Sequence, residues 1–233
     1  MIPLKDDTPL GSTPVLTAAL ILANVAAFAW QLAIDGTAQI GVVSAQVGGV
    51  VPYEILSLTD VDLPDLVPPP LTIATSMFLH GGFLHIASNM LFLWIFGNNV
   101  EDALGRGRFV GFYAASGTAA ALVQVLASAI SGDLFVPMVG ASGAIAGVLA
   151  AYVVMYPRAR VLTLVFLLVF VRVMPLPAVV FVGVWFAVQV LSVVLGAAPG
   201  VAVFAHLGGF VAGWLLVRIV GRRPGWRPRE ASL

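Results

Sequence analysis

The feature that most restricts the fold of this chain is a series of six hydrophobic segments. They lie at residues 13–34, 83–100, 109–130, 142–156, 176–196 and 201–217. Each segment is apolar on every side, so none has a polar face that could contact water. Charged residues make up only 9% of the chain, against about 25% in soluble domains. We therefore expect an all-α polytopic membrane protein.

β-Strands are not expected in this chain. Strands of a membrane barrel alternate apolar and polar residues over about ten positions, whereas these runs are apolar throughout. A seventh apolar stretch, Val161–Val171, has 11 residues before Arg172. Because a helix needs about 20 residues to cross the bilayer core, we interpret this stretch as interfacial or re-entrant.

The basic residues indicate how the chain is oriented. With six spans, all 11 Lys and Arg residues fall on one side, which the positive-inside rule makes cytoplasmic. The opposite side carries only acidic charges: Asp35, Glu54, Asp60, Asp62, Asp65 and Asp133. We expect a short cytoplasmic segment at 1–12, a membrane domain at 13–220 with an outer loop at 35–79, and a basic cytoplasmic tail at 221–233.

Composition excludes several classes of function. The formal net charge is zero, so nothing suggests a nucleic-acid partner. The absence of cysteine excludes disulfides, thiolate metal sites and cysteine nucleophiles. With only three histidines, no metal site and no cofactor are expected. Arginine far outnumbers lysine, which suggests a GC-rich bacterial genome and hence a bacterial plasma membrane.

Four polar residues from three segments are expected at one depth. At about 1.5 Å per helical residue, Ser142 and His85 lie roughly 24 Å from the cytoplasmic ends of their helices. His206 and Asn89 lie roughly 18 Å from theirs. The hydrocarbon core is about 30 Å thick, so all four belong to its outer half. Polar groups inside a membrane are costly and are therefore functional candidates.

The segment Gly140-Ala141-Ser142-Gly143 makes Ser142 a candidate nucleophile. Gly140 and Gly143 permit an exposed backbone and close approach of helices. Unpaired N–H groups at a helix start could stabilise an oxyanion during acyl transfer. The alternative interpretation is a serine that caps the helix, with glycines that serve packing.

His206 is the titratable residue of the sixth segment and the candidate general base for Ser142. Gly209 and Gly213 follow on its face, at i+3 and i+7, and allow a neighbouring helix to come close. A hydrogen bond between helices is the alternative role of His206. No acid lies in the outer half of any span, so a Ser-His dyad is expected rather than a triad.

His85 and Asn89 are spaced i, i+4 and share one helical face. Both can donate hydrogen bonds to a developing negative oxygen. Polar contacts between helices are the alternative explanation. His80 precedes Gly81-Gly82 near the outer interface, and we interpret it as a tether between loop and helix.

These motifs together resemble the rhomboid intramembrane proteases of bacterial type. The matching residues are 1–7, His80 to Met90 with Trp94, Gly97 and Glu101, Gly140 to Gly143, and Ala205 to Gly209 with Gly213. The resemblance implies a six-helix rhomboid bundle with both termini cytoplasmic. It also implies hydrolysis of peptide bonds in or near substrate transmembrane helices, with Ser142 and His206 as a catalytic dyad that forms an acyl-enzyme. Asn89, His85 and the Ser142 N–H would form the oxyanion hole.

The resemblance carries further expectations and two departures, one of which is that the outer loop has no arginine where the family often carries a Trp-Arg pair. Glu101 matches a buried structural carboxylate, and Trp185-Phe186 resemble bulky residues of a lateral gate. Some members carry an aromatic residue, four positions after the serine, that stacks on the histidine, but this chain has Ala146. Expected partners are transmembrane protein substrates and lipids. The alternatives are a catalytically silent client-binding relative and a small transporter, although a transporter would place its site at the midplane between repeated halves.

Overall fold

The computed structural model is mainly helical and describes most of the chain. The described residues are 1–37, 39–59, 67–167, 170–196 and 202–226. Two groups of residues from the predictions lie outside them, the loop acids Asp60, Asp62 and Asp65 and the tail residues 227–233.

All six hydrophobic segments form helices, and short helices fold the outer loop. In chain order the helices are α1 (Val15–Asp35), α2 (Val43–Gly48), α3 (Pro52–Ser57), α4 (Pro69–Thr75), α5 (Phe83–Phe92), α6 (Asn98–Leu104), α7 (Arg106–Ser131), α8 (Ser142–Met155), α9 (Ala178–Val194) and α10 (Val203–Val220). A 3-10 turn, Ser76–Phe78, follows α4, and a π-helical turn, Leu93–Gly97, joins α5 to α6. The predicted second segment therefore forms one continuous helical stretch, made of α5, the π-helical turn and α6.

The lengths of the helices show which can cross a membrane. Among the described residues, α1, α7 and α10 are long and apolar enough to cross a membrane. The segment from α4 to α6 is bent by 81°, and it is a fourth candidate if both of its arms count as one span. The apolar helices α8 and α9 have 14 and 17 residues. At about 1.5 Å per residue, α8 measures roughly 21 Å, less than the core of about 30 Å. The chain is a polytopic helical membrane protein.

The short helix α8 occupies the centre of the bundle. Its residues from Gly143 to Tyr152 are all buried, and α7 and α10 pack against it. A methyl group on Gly213 would overlap the backbone of Gly147, and one on Gly143 would overlap the Ala120 side chain. Because glycine lies at both contacts, the backbone of α8 can approach α10 and α7 closely.

The prediction that the chain lacks strands is wrong. An antiparallel sheet contains, in spatial order, β1 (Ile2–Asp6), β2 (Arg160–Leu167) and β3 (Phe170–Pro177). The stretch interpreted as interfacial or re-entrant is thus a hairpin, and the segment 1–12 adds a strand to it. Alternate residues from Val161 to Val165 are buried. Leu162 and Leu164 between them are also apolar, so the sequence lacks the alternation that predicts a strand.

Two acidic residues at the end of α6 are buried rather than solvated. Glu101 is 2% exposed and accepts hydrogen bonds from the Leu16 N–H at 3.0 Å and the Thr17 N–H at 2.7 Å. Its carboxylate thereby caps the free N–H groups at the start of α1. Asp102 is 5% exposed. The buried structural role that the resemblance implies for Glu101 agrees with these contacts.

Both terminal segments are attached to the bundle at this end. Arg223 forms a 2.9 Å salt bridge with Asp102, and the Trp226 indole donates to the same carboxylate at 3.1 Å. The first residues of the predicted tail are thus packed against the membrane domain. At the other terminus, the Tyr152 hydroxyl donates to Asp6 at 2.7 Å. Burial raises the pKa of the Asp6 carboxyl above its usual value.

Candidate active site

Ser142 and His206 come together from two helices that are distant in the sequence. Ser142 is the first residue of α8, and His206 lies in the first turn of α10. The Ser142 Oγ lies 2.7 Å from the His206 Nε2, within hydrogen-bonding range. An unprotonated Nε2 in this position can accept the hydroxyl proton, as an activated serine nucleophile requires.

The structure does not support the alternative role of Ser142 as a helix cap. Ala141 occupies the N-cap position, and no side chain caps α8 there. The chain enters α8 through Gly140, whose φ of 127° favours glycine. A methyl group on Gly140 would also lie 2.9 Å from the His85 ring. Gly140 therefore allows the turn that places Ser142 beside His85 and His206.

Two side chains of α9 hold the His206 ring, and sequence analysis did not assign them this role. The Gln189 Oε1 lies 2.8 Å from His206 Nδ1. The Trp185 ring packs on the imidazole at a centroid distance of 5.7 Å. These contacts hold the ring although Ala146 stands where the resemblance led us to look for a stacking aromatic residue. The sequence signal for this role was Gln189 itself, a polar residue in the apolar fifth segment, one helical turn after Trp185.

His85 and Asn89 offer hydrogen-bond donors near Ser142, and all three line one cavity. His85 Nδ1 accepts the Gly81 N–H at 3.3 Å, so the ring proton belongs on Nε2, the atom that faces Gly140. The Asn89 side-chain nitrogen is buried and has no hydrogen-bond partner among the described residues. Among the described residues, the side chains of His85 and Asn89 form no hydrogen bond to another helix. The alternative role, polar contacts between helices, would require such bonds.

His80 is tethered through its backbone, whereas both of its ring nitrogens are buried without a hydrogen-bond partner among the described residues. Its side chain is fully buried, and its ring packs edge-on against His85 at 5.1 Å. The His80 N–H donates to Gln31 Oε1 at 2.8 Å, and its carbonyl accepts from Gln31 Nε2 at 3.1 Å. Gln31 thus connects α1 to the segment that precedes α5.

An open cavity of about 780 Å³ adjoins the Ser142–His206 pair. Its other polar lining residues are His85, Ser88, Asn89, Gln124, Ser128, Ser131 and Asp133. Polar groups are tolerated at membrane depth where they line a water-filled cavity. Within the described part of the chain, no three His, Asp or Glu side chains meet as metal ligands.

The fold and the site define a polytopic helical membrane protein with a hydrogen-bonded serine and histidine beside an open cavity. A family model described as the Rhomboid domain matches residues 70–223. The chain belongs to the rhomboid family.

Curated relatives are similar over part of their length. Rhomboid protein 1, mitochondrial, of Saccharomyces cerevisiae is 34% identical over 180 residues, which cover 72% of this chain and 48% of the yeast protein. Presenilin-associated rhomboid-like protein, mitochondrial, of Mus musculus is 38% identical over 95 residues, or 41% of this chain and 25% of the mouse protein. The chain therefore spans less than half the length of either relative. Both are eukaryotic, so they do not support the bacterial type predicted from the amino terminus.

Proposed function

We propose that this chain is an intramembrane serine endopeptidase. Its substrates would be membrane proteins, cut in or near their transmembrane helices. The 2.7 Å contact between Ser142 Oγ and His206 Nε2 beside an open cavity carries the proposal. Membership of the rhomboid family supports it. The chain spans less than half the length of the yeast and mouse relatives. Its activity, its substrates and its lipid surroundings are therefore proposals.

In the proposed reaction, Ser142 is the nucleophile and His206 the general base. His206 Nε2 takes the hydroxyl proton while Ser142 Oγ bonds to the carbonyl carbon of the substrate peptide. The intermediate collapses as the C–N bond breaks, and His206 gives its proton to the leaving amine. Water then attacks the acyl-enzyme with His206 again as base, which releases the acid product and restores the Ser142 hydroxyl.

Three donors would stabilise the oxyanion of the intermediate. They are the free Asn89 amide nitrogen, the His85 Nε2–H and the Ser142 backbone N–H, which lies in the first turn of α8, where N–H groups lack helical partners. Loss of one such donor typically lowers kcat by about 10²- to 10³-fold. Gly140, Gly143 and Gly209 support the site through backbone approach rather than chemistry.

We further propose six spans with both termini cytoplasmic and the cavity open to the outer face. The sorting of all basic residues to one side supports this topology. The division into 1–12, 13–220 and 221–233 remains part of the proposal, although residues 2–6 and 221–226 pack against the bundle. The names of the yeast and mouse relatives favour a mitochondrial membrane over the bacterial plasma membrane that composition suggested.

A serine-reactive fluorophosphonate probe tests the proposal. With the purified chain in lipid bilayers, we expect one covalent adduct, mapped by mass spectrometry to Ser142. His206→Ala should prevent this labelling because the hydroxyl loses its base. Cleavage of a membrane substrate without any adduct at Ser142 would contradict the assignment.

A further inference from the structure

We infer that Gln189 is a positioning residue, which holds His206 in the tautomer that a general base needs. This inference rests on the proposed protease function and adds a third side chain to the dyad. Gln189 Oε1 lies 2.8 Å from His206 Nδ1, and Nε2 of the same ring lies 2.7 Å from Ser142 Oγ. One line of hydrogen bonds therefore joins α9, α10 and α8.

The tautomer follows from the chemistry of the amide. A neutral imidazole carries its single proton on either Nδ1 or Nε2, and the glutamine side-chain oxygen can only accept a hydrogen bond. With Gln189 Oε1 facing Nδ1, the proton belongs on Nδ1. His206 Nε2 is then unprotonated and can take the Ser142 proton. The other tautomer would place two acceptors against each other at Nδ1 and point an N–H at Ser142.

Gln189 occupies the position that a carboxylate has in a serine–histidine–aspartate triad. A carboxylate orients the imidazole and also stabilises its protonated form, but it brings a negative charge into the membrane. Burying an isolated charge is costly, whereas a hydrogen-bonded amide is tolerated. Among the described residues, no Asp or Glu bonds to the His206 ring. The amide thus provides orientation without net charge.

The position of Gln189 shows that it acts through His206. Trp185 and Gln189 are spaced i, i+4 on one face of α9, and both contact the imidazole. Trp185 and His206 line the cavity where substrate would bind, whereas Gln189 is not among the described residues that do. A change at Gln189 should therefore alter kcat and leave KM unchanged.

Gln189→Met is the test substitution, because methionine keeps the length of the side chain but lacks the amide oxygen. We expect kcat to fall by about 10- to 100-fold, part of the usual contribution of general base catalysis, with KM unchanged. Gln189→Glu keeps an acceptor at the same place, and its carboxylate is not an isolated charge because it pairs with the protonated His206 ring, so kcat should return to near the wild-type value. Val188→Met, at a neighbouring position that is 52% exposed, is the matched control and should leave both constants unchanged.

Nitrogen-15 NMR of labelled histidine reads the tautomer independently of turnover, with His206→Ala to assign the signals. The wild-type ring should carry its proton on Nδ1, and Gln189→Met should shift protons to Nε2. Wild-type kcat in Gln189→Met, or an equal loss in the Met and Glu variants, would overturn the inference. If the wild-type chain neither cleaves nor reacts with the probe, the protease proposal fails. The NMR result then still decides the role of Gln189, because a proton on Nε2 in the wild type excludes it.

Discussion

Replacing Ser142 by alanine is expected to lower cleavage of a membrane substrate by about 10⁶-fold, the loss typical when a serine protease loses its nucleophile. Among the described residues, Ser142 is the serine whose hydroxyl bonds to a histidine ring nitrogen. Alanine has no oxygen that could attack the carbonyl or form an acyl-enzyme. The fold should persist, because the substitution removes one hydrogen bond worth about 0.5–1.5 kcal/mol.

Cleavage of a reconstituted transmembrane substrate, together with the melting temperature in detergent, measures both effects. Ser192→Ala is the matched control, since the Ser192 hydroxyl on α9 bonds only to its own helix, at the Val188 carbonyl, among the described contacts. It should leave cleavage unchanged. Normal turnover by Ser142→Ala would refute the assignment. If the wild type binds membrane clients without cutting them, as Ser142→Ala also does, the client-binding alternative is correct.

Gly213→Ala is expected to reduce both stability and cleavage, although alanine is normally the better helix residue. The added methyl group would overlap the backbone of Gly147, which cannot rotate away as a side chain does. Overpacking of this kind typically costs about 1–3 kcal/mol. Relief requires α10 to move away from α8, which lengthens the 2.7 Å contact between Ser142 and His206. A displacement of about 1 Å can cost roughly 10²-fold in rate.

Gly111→Ala is the matched control for this prediction. Gly111 lies within α7, and a methyl group there meets nothing within 4 Å. The substitution should therefore stabilise the protein by about 0.5–1 kcal/mol and leave cleavage unchanged. The two variants are compared by melting temperature and by initial rate. If Gly213→Ala behaves like Gly111→Ala, close packing of α8 and α10 does not position the site.

Some features of this protein follow from local sequence signals, whereas others depend on tertiary contacts. The hydrophobic segments predicted six helices, because each run of apolar residues carries its own signal. The glycines on the face of His206 predicted a close helix approach, and the structure contains it at Gly143, Gly147, Gly209 and Gly213. The strands were missed because the face of β2 that points away from the bundle is also apolar, which removes the period-2 pattern. The packed start of the tail was missed because basic residues near a membrane also suit lipid headgroups.

The sequence by itself determined the membrane class of this protein, the order of its helices and the candidate pair Ser142 and His206. Apolar length and charge are properties of single segments, so they can be read without knowing which helices touch. Only the tertiary structure decided that α9 supplies Gln189 to the histidine, that Glu101 caps α1 and that Arg223 pairs with Asp102. Each of these contacts depends on the distance and rotation between separate elements, which the packing of the whole bundle sets.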